Sequence, residues 1–295
     1  MRAASRTRAD VRIGVLTGGG DCPGLNAVLR AIVRKAHGVQ GHTVLGFYDA
    51  WDGVLERRYT ELDVAAVRGI LPRGGTILGT RRGSPYDHPD GPARLREAFA
   101  EVRLDALVVV GGNGSLTVAS MLHEELGLPI VGVPKTIDND VVGTDATCGF
   151  QTAVQIATDA IDRLHTTAES HDRVMVVEVM GRDAGWIAMQ AGIAGGATAI
   201  LVPERPFDVA EVARIVTRRH DRGRYASVVV VAEGARPVPG TLEMPEPPLD
   251  RYGRPMHGDV AHVIAPALSR LTGYESRVVQ LGHLQRGGTP TAYDR

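Results

Sequence analysis

The sequence predicts an α/β fold made of two doubly wound, Rossmann-like lobes, and three observations carry that expectation. Apolar runs such as "ALVVV" have no polar face, as strands do in a parallel sheet covered on both sides. Stretches with apolar residues at helical spacing follow them, so strand and helix alternate along the chain. Two of the turns between them are glycine-rich, "LTGGGDCPGLN" and "GGNGS", and such turns let backbone N–H groups approach a phosphate at a strand's carboxyl end.

Taken in order, a basic arm over residues 1–11 precedes "VRIGVLTGG", a strand with its turn, and "GLNAVLRAIVRKAHGVQG", a helix closed by glycine. "DALVVVGGNGS" leads into the helix "LTVASMLHEEL", then the strand "PIVGVPKTIDND" and the helix "GFQTAVQIATDAIDRLHTTAES". A second series starts near residue 173 with the strand "RVMVVEVMG", the helix "AGWIAMQAGIAGG" and the strand "TAILVP". The helix "VAEVARIVTRRH" and the strand "YASVVVVAEGA" complete it. "RPVPGTLEMPEPPLDRYGRPMHGD", rich in proline and glycine and without periodicity, reads as a surface excursion. The expected division is one lobe over residues 12–149, rejoined by 284–295, and a second over 150–283.

Composition narrows the function classes. With 295 residues and 43% apolar content the chain can bury a sizeable core. Its 33 basic and 34 acidic residues nearly balance, which argues for neither a nucleic acid nor a membrane surface as partner. No stretch approaches the ~20 apolar residues of a membrane-spanning helix, and "MRAASRTRAD" is too short and polar for a secretory signal, so the expected compartment is the cytosol. Cys22 and Cys148 are the two cysteines, expected to be buried free thiols. Of the basic residues only Lys35 and Lys135 are lysines.

The stretch "VPKTIDNDVVGTD" crowds aspartates and threonines round Lys135 directly after an apolar run. At the carboxyl edge of a sheet, Asp138 and Asp140 suit acid/base or metal work on a phosphorylated substrate; elsewhere the same residues make a solvated turn. No Walker A sequence and no clean GxGxxG is present, and each glycine loop alone serves equally as a tight turn. A pair of them at strand ends marks the crevice in which open sheets bind ligands.

Those loops, with "GGTILGTRR", "PKTIDND", "VEVMGR" and "LGHLQRGG" in this order, resemble the phosphofructokinase family from about residue 12 to the end. The likeness is greatest to the bacterial branch whose members use either ATP or pyrophosphate. The resemblance implies two lobes of the phosphofructokinase type and phosphorylation of fructose 6-phosphate to fructose 1,6-bisphosphate in glycolysis. It implies ATP or pyrophosphate as donor and Mg2+ as cofactor.

By resemblance, Asp138 takes the proton from the 1-hydroxyl, Thr136 bonds the transferring group and Asp140 places magnesium through water. Asp138 and Asn113 are the other metal positions. Arg82, with Arg81 beside it, reaches the donor phosphates, and Arg182 meets the transferred group or the sugar. Arg173 and Arg277 clamp the sugar 6-phosphate across a subunit interface, implying a homodimer or homotetramer. His283 and Arg286 complete that pocket from the same chain, Glu233 binds sugar hydroxyls, and Ile137, Met180, Gly181, Leu284 and Gln285 line it. Gly20, Gly112, Asn113, Gly114, Ser115 and Lys135 form the donor side. Taken singly, any of these arginines is a solvated charge and His283 a structural histidine; the ordered set is what points to chemistry. Arg30 and Arg34 match a family effector region and equally suit a solvated helix face, while His165, His171 and His262 are expected to be structural.

The sequence departs from the family pattern at Asn113, where the family has an acidic residue near the donor's magnesium, and at its end, since family members continue beyond the position of Arg295. Both departures motivate an alternative of another class, a noncatalytic sensor of sugar phosphates or nucleotides. A dinucleotide oxidoreductase fits less well, with no acidic residue where a ribose contact would follow the glycines. For the donor, Gly114 leaves room for a nucleotide where pyrophosphate-dependent members carry an aspartate, whereas the ammonium of Lys135 suits pyrophosphate. The expectation is ATP.

Overall fold

The computed structural model of the chain describes residues 10–246, 248–249 and 258–295. Most of the basic arm and the middle of the proline-rich excursion, residues 250–257, lie outside the described residues. Two compact units result: the first is the chain up to Thr136 with Val141–Gly149 and Gly288–Arg295, the second Ile137–Asp140 with Phe150–Gly287. Against the expected boundaries, the short Ile137–Asp140 segment belongs to the second unit, and the return to the first comes after Gly287.

The first unit is built on a five-stranded sheet, in the order β3-β2-β1-β4-β5. Its strands are β1 (Arg12–Thr17), β2 (Thr43–Phe47), β3 (Tyr59–Glu61), β4 (Ala106–Gly111) and β5 (Ile130–Pro134). β1, β2, β4 and β5 pair in parallel, with Ile13 opposite Val44 on one side and Ala106 on the other. β3 runs antiparallel to β2, so this sheet is mixed rather than wholly parallel. Only the short α2 (Trp51–Leu55) separates β2 from β3, too little chain for a crossover that would bring it back parallel. The other helices are α1 (Leu25–Val33), continued by a wider-turned run Arg34–Val39, α3 (Gly91–Val102) and α4 (Asn113–Leu126). Leu16, Phe47, Trp51, Leu95, Phe99, Leu107, Val109 and Leu122 form one buried cluster of this unit. Burying each such side chain contributes ~1.5–3 kcal/mol.

The second unit has a parallel four-stranded sheet, in the order β7-β8-β6-β9. Its strands are β6 (Val174–Val179), β7 (Ala199–Leu201), β8 (Ser227–Ala232) and β9 (Ser276–Gln280), and its helices are α5 (Phe150–His171), α6 (Trp186–Ala194), α7 (Val209–His220) and α8 (Val260–Thr272). Every residue of β6 and β8 is buried, which is why both read as uninterrupted apolar runs. One β6 residue is the exception in kind: the buried carboxylate of Glu178 accepts hydrogen bonds from the amides of Asp259 and Ala261 and from Gln280 Nε2. It thereby satisfies opening N–H groups of α8 that have no partner within the helix.

Candidate functional site

In the first unit the candidate residues gather at the carboxyl ends of β1, β4 and β5. Gly18 follows β1, and a Cβ there would lie 2.5 Å from Ser115 Oγ in the first turn of α4, so only glycine lets the two loops meet. Lys135, directly after β5, is 2% exposed, and its Nζ donates to the carbonyls of Gly18 (2.8 Å) and Gly20 (2.5 Å). Thr80 Oγ1 donates to the carbonyl of Gly19 at 2.6 Å. Thr17 at the end of β1 is tied to the same neighbouring turn, donating to the Gly79 carbonyl (2.8 Å) and meeting Thr76 Oγ1 (2.9 Å).

Arg81 is exposed and lies 3.8 Å from Asp49 and 3.6 Å from Asp52; Asp49 also takes Arg58 at 2.9 Å. Arg82, Asn113 and Gly114 are exposed, with Gly112 just before them and Asn113 opening α4. Thr136 belongs to this unit, its carbonyl accepting from Thr147 Oγ1 at 2.5 Å. Cys22 is buried and its Sγ donates to the Cys148 carbonyl at 3.4 Å; the bond to Cys148 and burial push the Cys22 thiol up. Cys148 is only half-buried, contrary to the expectation of two buried thiols, because it sits in the loop between β5 and α5.

The second unit collects a charged cluster where Ile137–Asp140 and the ends of β6 and β8 come together. Past β6 and β8 the two chains stay in contact, with the Glu233 amide on the Val179 carbonyl (2.9 Å) and the Gly234 amide on the Gly181 carbonyl (3.0 Å). A Cβ on Gly234 would stand 1.7 Å from the carbonyl oxygen of Arg182, so glycine there is what allows Arg182 and Glu233 to stand side by side. Asp138 lies within the field of Asp140, Arg182, Asp183 and Arg286. Burial raises its carboxyl above the usual aspartate range, Asp140 adds to the rise, and Arg286 and Arg182 only partly offset it. Glu233 is raised too, by burial first and by Asp138 next, against the bond it accepts from the Gly181 backbone.

Arg286 carries a buried Nε with no hydrogen-bond partner among the described residues, an unusual state for a guanidinium and one that a phosphate or sugar oxygen would relieve. The rest of the "GHLQR" turn divides. His283 and Leu284 are exposed, while Gln285 is fully buried, accepting from the Met180 amide (3.3 Å) and donating to the Gly282 carbonyl (3.1 Å). Gln285 thus clips this turn to "VMGR" through the backbone. Ile137 and Met180 are buried beside the same segments.

Arg173 and Arg277 are brought together by a residue that sequence reasoning missed. Glu275 binds Arg173 Nε at 2.6 Å and also pairs with Arg277, and these arginines, Arg173 first, hold its carboxyl below the usual glutamate range. The signal was present in "ESR": β6 pairs with β9 with Val174 opposite Ser276, which sets Arg173 alongside Glu275. Asp183, Thr80 and Asp49 were likewise missed, since nothing in their spacing marks them. Of the histidines, His165 bonds the Gly195 carbonyl through Nε2 at 2.6 Å, a structural role.

Among the described residues no three acidic, histidine or cysteine side chains gather into a ready metal cage. Asp138 with Asp140 nevertheless fits magnesium, which usually rests on one or two carboxylates and takes its remaining ligands from water and phosphate.

Residues 12–295 match the Phosphofructokinase family. The chain is 55% identical over 285 residues to a "Pyrophosphate--fructose 6-phosphate 1-phosphotransferase" of Streptomyces coelicolor, covering 97% of this chain and 83% of that one. It is 54% identical, with the same coverage, to "ATP-dependent 6-phosphofructokinase 3" of the same organism. Its fold matches a crystal structure of Pichia pastoris phosphofructokinase in the T-state with a TM-score of 0.84 at 34% identity, over 97% of this chain and 31% of that longer one. With nearly its whole length inside the family match, and with the charged cluster and both glycine loops in the expected order, the chain belongs to the phosphofructokinase family.

Proposed function

We propose that this protein transfers the γ-phosphoryl group of ATP to the 1-hydroxyl of fructose 6-phosphate, giving fructose 1,6-bisphosphate and ADP as a cytosolic step of glycolysis. The observation that carries the reading is the cluster of Asp138, Arg182, Glu233 and Arg286, in which burial holds a carboxylate ready to accept a proton beside two guanidiniums. As the hydroxyl oxygen attacks phosphorus, its proton passes to Asp138 and the bond from phosphorus to the β,γ-bridging oxygen breaks. A carboxylate of raised pKa is the stronger base, and a positioned base of this kind contributes ~10² to 10⁴ in rate. Arg182 stabilises charge spreading onto the transferred group, and Thr136 bonds it. Glu233 orients the sugar hydroxyls. Asp138 and Asp140, with the donor's own oxygens, would hold magnesium, which would supply charge neutralisation there.

Arg286 and His283 hold the sugar 6-phosphate from one chain, and Arg173 and Arg277 reach it from a second copy, so the working unit is a homo-oligomer. ATP is favoured over pyrophosphate by Gly114: a Cβ there meets nothing within 4 Å, which leaves the mouth of the donor loop open to a nucleotide. Similar relatives carry both donor names, and the preference for ATP rests on this open position. No helix of the described residues is long and apolar enough to cross a membrane.

A coupled assay with fructose 6-phosphate and magnesium, supplied with ATP in one series and pyrophosphate in another, tests the reading. Turnover with ATP exceeding that with pyrophosphate is expected. Dominant pyrophosphate use reverses the donor, and sugar-phosphate binding without turnover on either donor makes the protein a sensor.

A further inference from the structure

Three successive carbonyls of the first glycine loop are held by side chains: Gly18 and Gly20 by the ammonium of Lys135, Gly19 by the hydroxyl of Thr80. Every peptide bond among the described residues is trans, so each carbonyl points opposite to the N–H of the residue after it. Tying down those carbonyls therefore turns the N–H groups of Gly19 and Asp21 away from Lys135, and that of Gly20 away from Thr80. Gly18 itself is anchored through its amide to the Val110 carbonyl at 2.9 Å, so the loop is fixed at its root as well. Gly19, with φ of +79°, supplies the reversal that lets Gly18 and Gly20 share one ammonium. A cation on the carbonyl side also polarises those peptides and strengthens their N–H groups as donors.

We infer that Lys135 is a positioning residue, which with Thr80 latches the Gly18–Gly20 loop into an anion-binding conformation and so supports donor phosphates of either kind, without itself contacting pyrophosphate. The inference rests on the proposed reading that this loop holds the donor. Lys135 is 2% exposed and its Nζ already sits on two carbonyl oxygens, so reaching a ligand would mean leaving the interior and breaking both bonds. An ammonium in that position acts on donors through the loop. It favours ATP and pyrophosphate alike, and selection between them is left to the open space at Gly114.

The test is the affinity of ATP and of pyrophosphate, each with magnesium, measured by titration calorimetry on the wild type, Lys135→Met, Thr80→Val and Thr80→Ser. Lys135→Met keeps the length of the side chain and removes the charge. It is expected to weaken both donors by a similar factor, tenfold or more, as loss of charged hydrogen bonds implies. KM for fructose 6-phosphate should stay within twofold. Thr80→Val is expected to weaken both donors by a smaller common factor, and Thr80→Ser to restore them, because serine returns the hydroxyl to the Gly19 carbonyl. The double variant should lose less than the product of the two single effects, since both act on one loop. If Lys135→Met loses pyrophosphate while ATP is untouched, the ammonium contacts pyrophosphate directly and the latch is overturned. Unchanged affinity for both donors overturns it equally. Should Lys135→Met fail to fold, the Thr80 pair decides by the same criteria. A wild type that binds both donors and loses them together in the variants, yet never phosphorylates the sugar, leaves the latch standing and removes the proposed reaction.

Discussion

The glycine loops of the first unit and the charged cluster of the second are assembled on opposite principles. Around Gly18–Gly20 the polar side chains are spent on the protein's own backbone: Lys135 and Thr80 hold carbonyls, and Ser115 fills the gap beside Gly18. In the second unit, Asp138 and Glu233 are both raised by burial, each sits in the field of other carboxylates, and Arg286 keeps a buried Nε without a partner among the described residues. The first region is settled before a ligand arrives, and the second is left electrostatically unsettled. The difference separates two ways of serving a substrate: shape made ready by internal bonds, and charge held in readiness at the expense of stability. Substitutions in the first region should act on donor affinity as a whole, those in the second on particular steps.

The largest expected effect falls in the second region. Asp138→Asn keeps the shape and removes the proton acceptor, so kcat should fall by at least ~10² while fructose 6-phosphate affinity changes little. Steady-state kinetics at saturating sugar checks this, and near-normal kcat would remove Asp138 from the chemistry and blur the contrast between the regions.

Next comes Arg286→Met, which deletes the guanidinium with the orphaned Nε. KM for fructose 6-phosphate should rise about 10- to 100-fold, the equivalent of one or two charged hydrogen bonds, with KM for ATP unchanged. A parallel rise in both constants would show the two regions acting as one.

The smallest expected effect sharpens the comparison from a third place. Glu275 is held below the usual glutamate range by Arg173 and Arg277, so its pairing is present above the ordinary glutamate pKa and is lost as the pH falls through the lowered one. The pair is exposed, so Glu275→Gln should shift the melting temperature barely at neutral pH, and that small gap should close in acid. A large loss at neutral pH would mean that this arginine pair also belongs to the settled kind.

Much of this was legible beforehand where local pattern and tertiary role coincide. β1, β4, β6 and β8 each carry an apolar run because the sheet buries them, and the long α5 keeps its helical period over its whole length. The region between α1 and β4 was not legible. Its hairpin-like reversal depends on Asp49 and Ala50, both with positive φ although neither is glycine, a conformation set by tertiary contacts that sequence rules would not assign to them. α8 contains Pro266 in its interior and takes its opening bonds from Glu178, far away in sequence, so neither a clean period nor a local cap announces it.

The candidate site shows the same division. The motifs carrying Asp138, Arg182, Glu233 and Arg286 could be read, but the burial that raises Asp138 and Glu233 comes from the fold. Lys135 is the clearest instance. Residue type suggested an ammonium for phosphate, and only the fold puts its Nζ on the carbonyls of Gly18 and Gly20.

The central claim, that the second region holds its carboxylate against its own stability, is tested most directly by the melting temperature of Asp138→Asn beside the wild type. The measurement is made at pH 7 in EDTA without substrates, so that neither metal nor phosphate offsets the charges. A carboxyl whose folded pKa is raised contributes stability that is full below its unfolded pKa and lost as the pH rises through the folded one, so at pH 7 the wild type bears the penalty and the amide does not. The account predicts a higher melting temperature for Asp138→Asn, with the gap shrinking as the pH is lowered through the aspartate range. A lower melting temperature at pH 7 would contradict it, because Asp138 would then be stabilised in place by Arg182 and Arg286, settled like the glycine loop of the first unit.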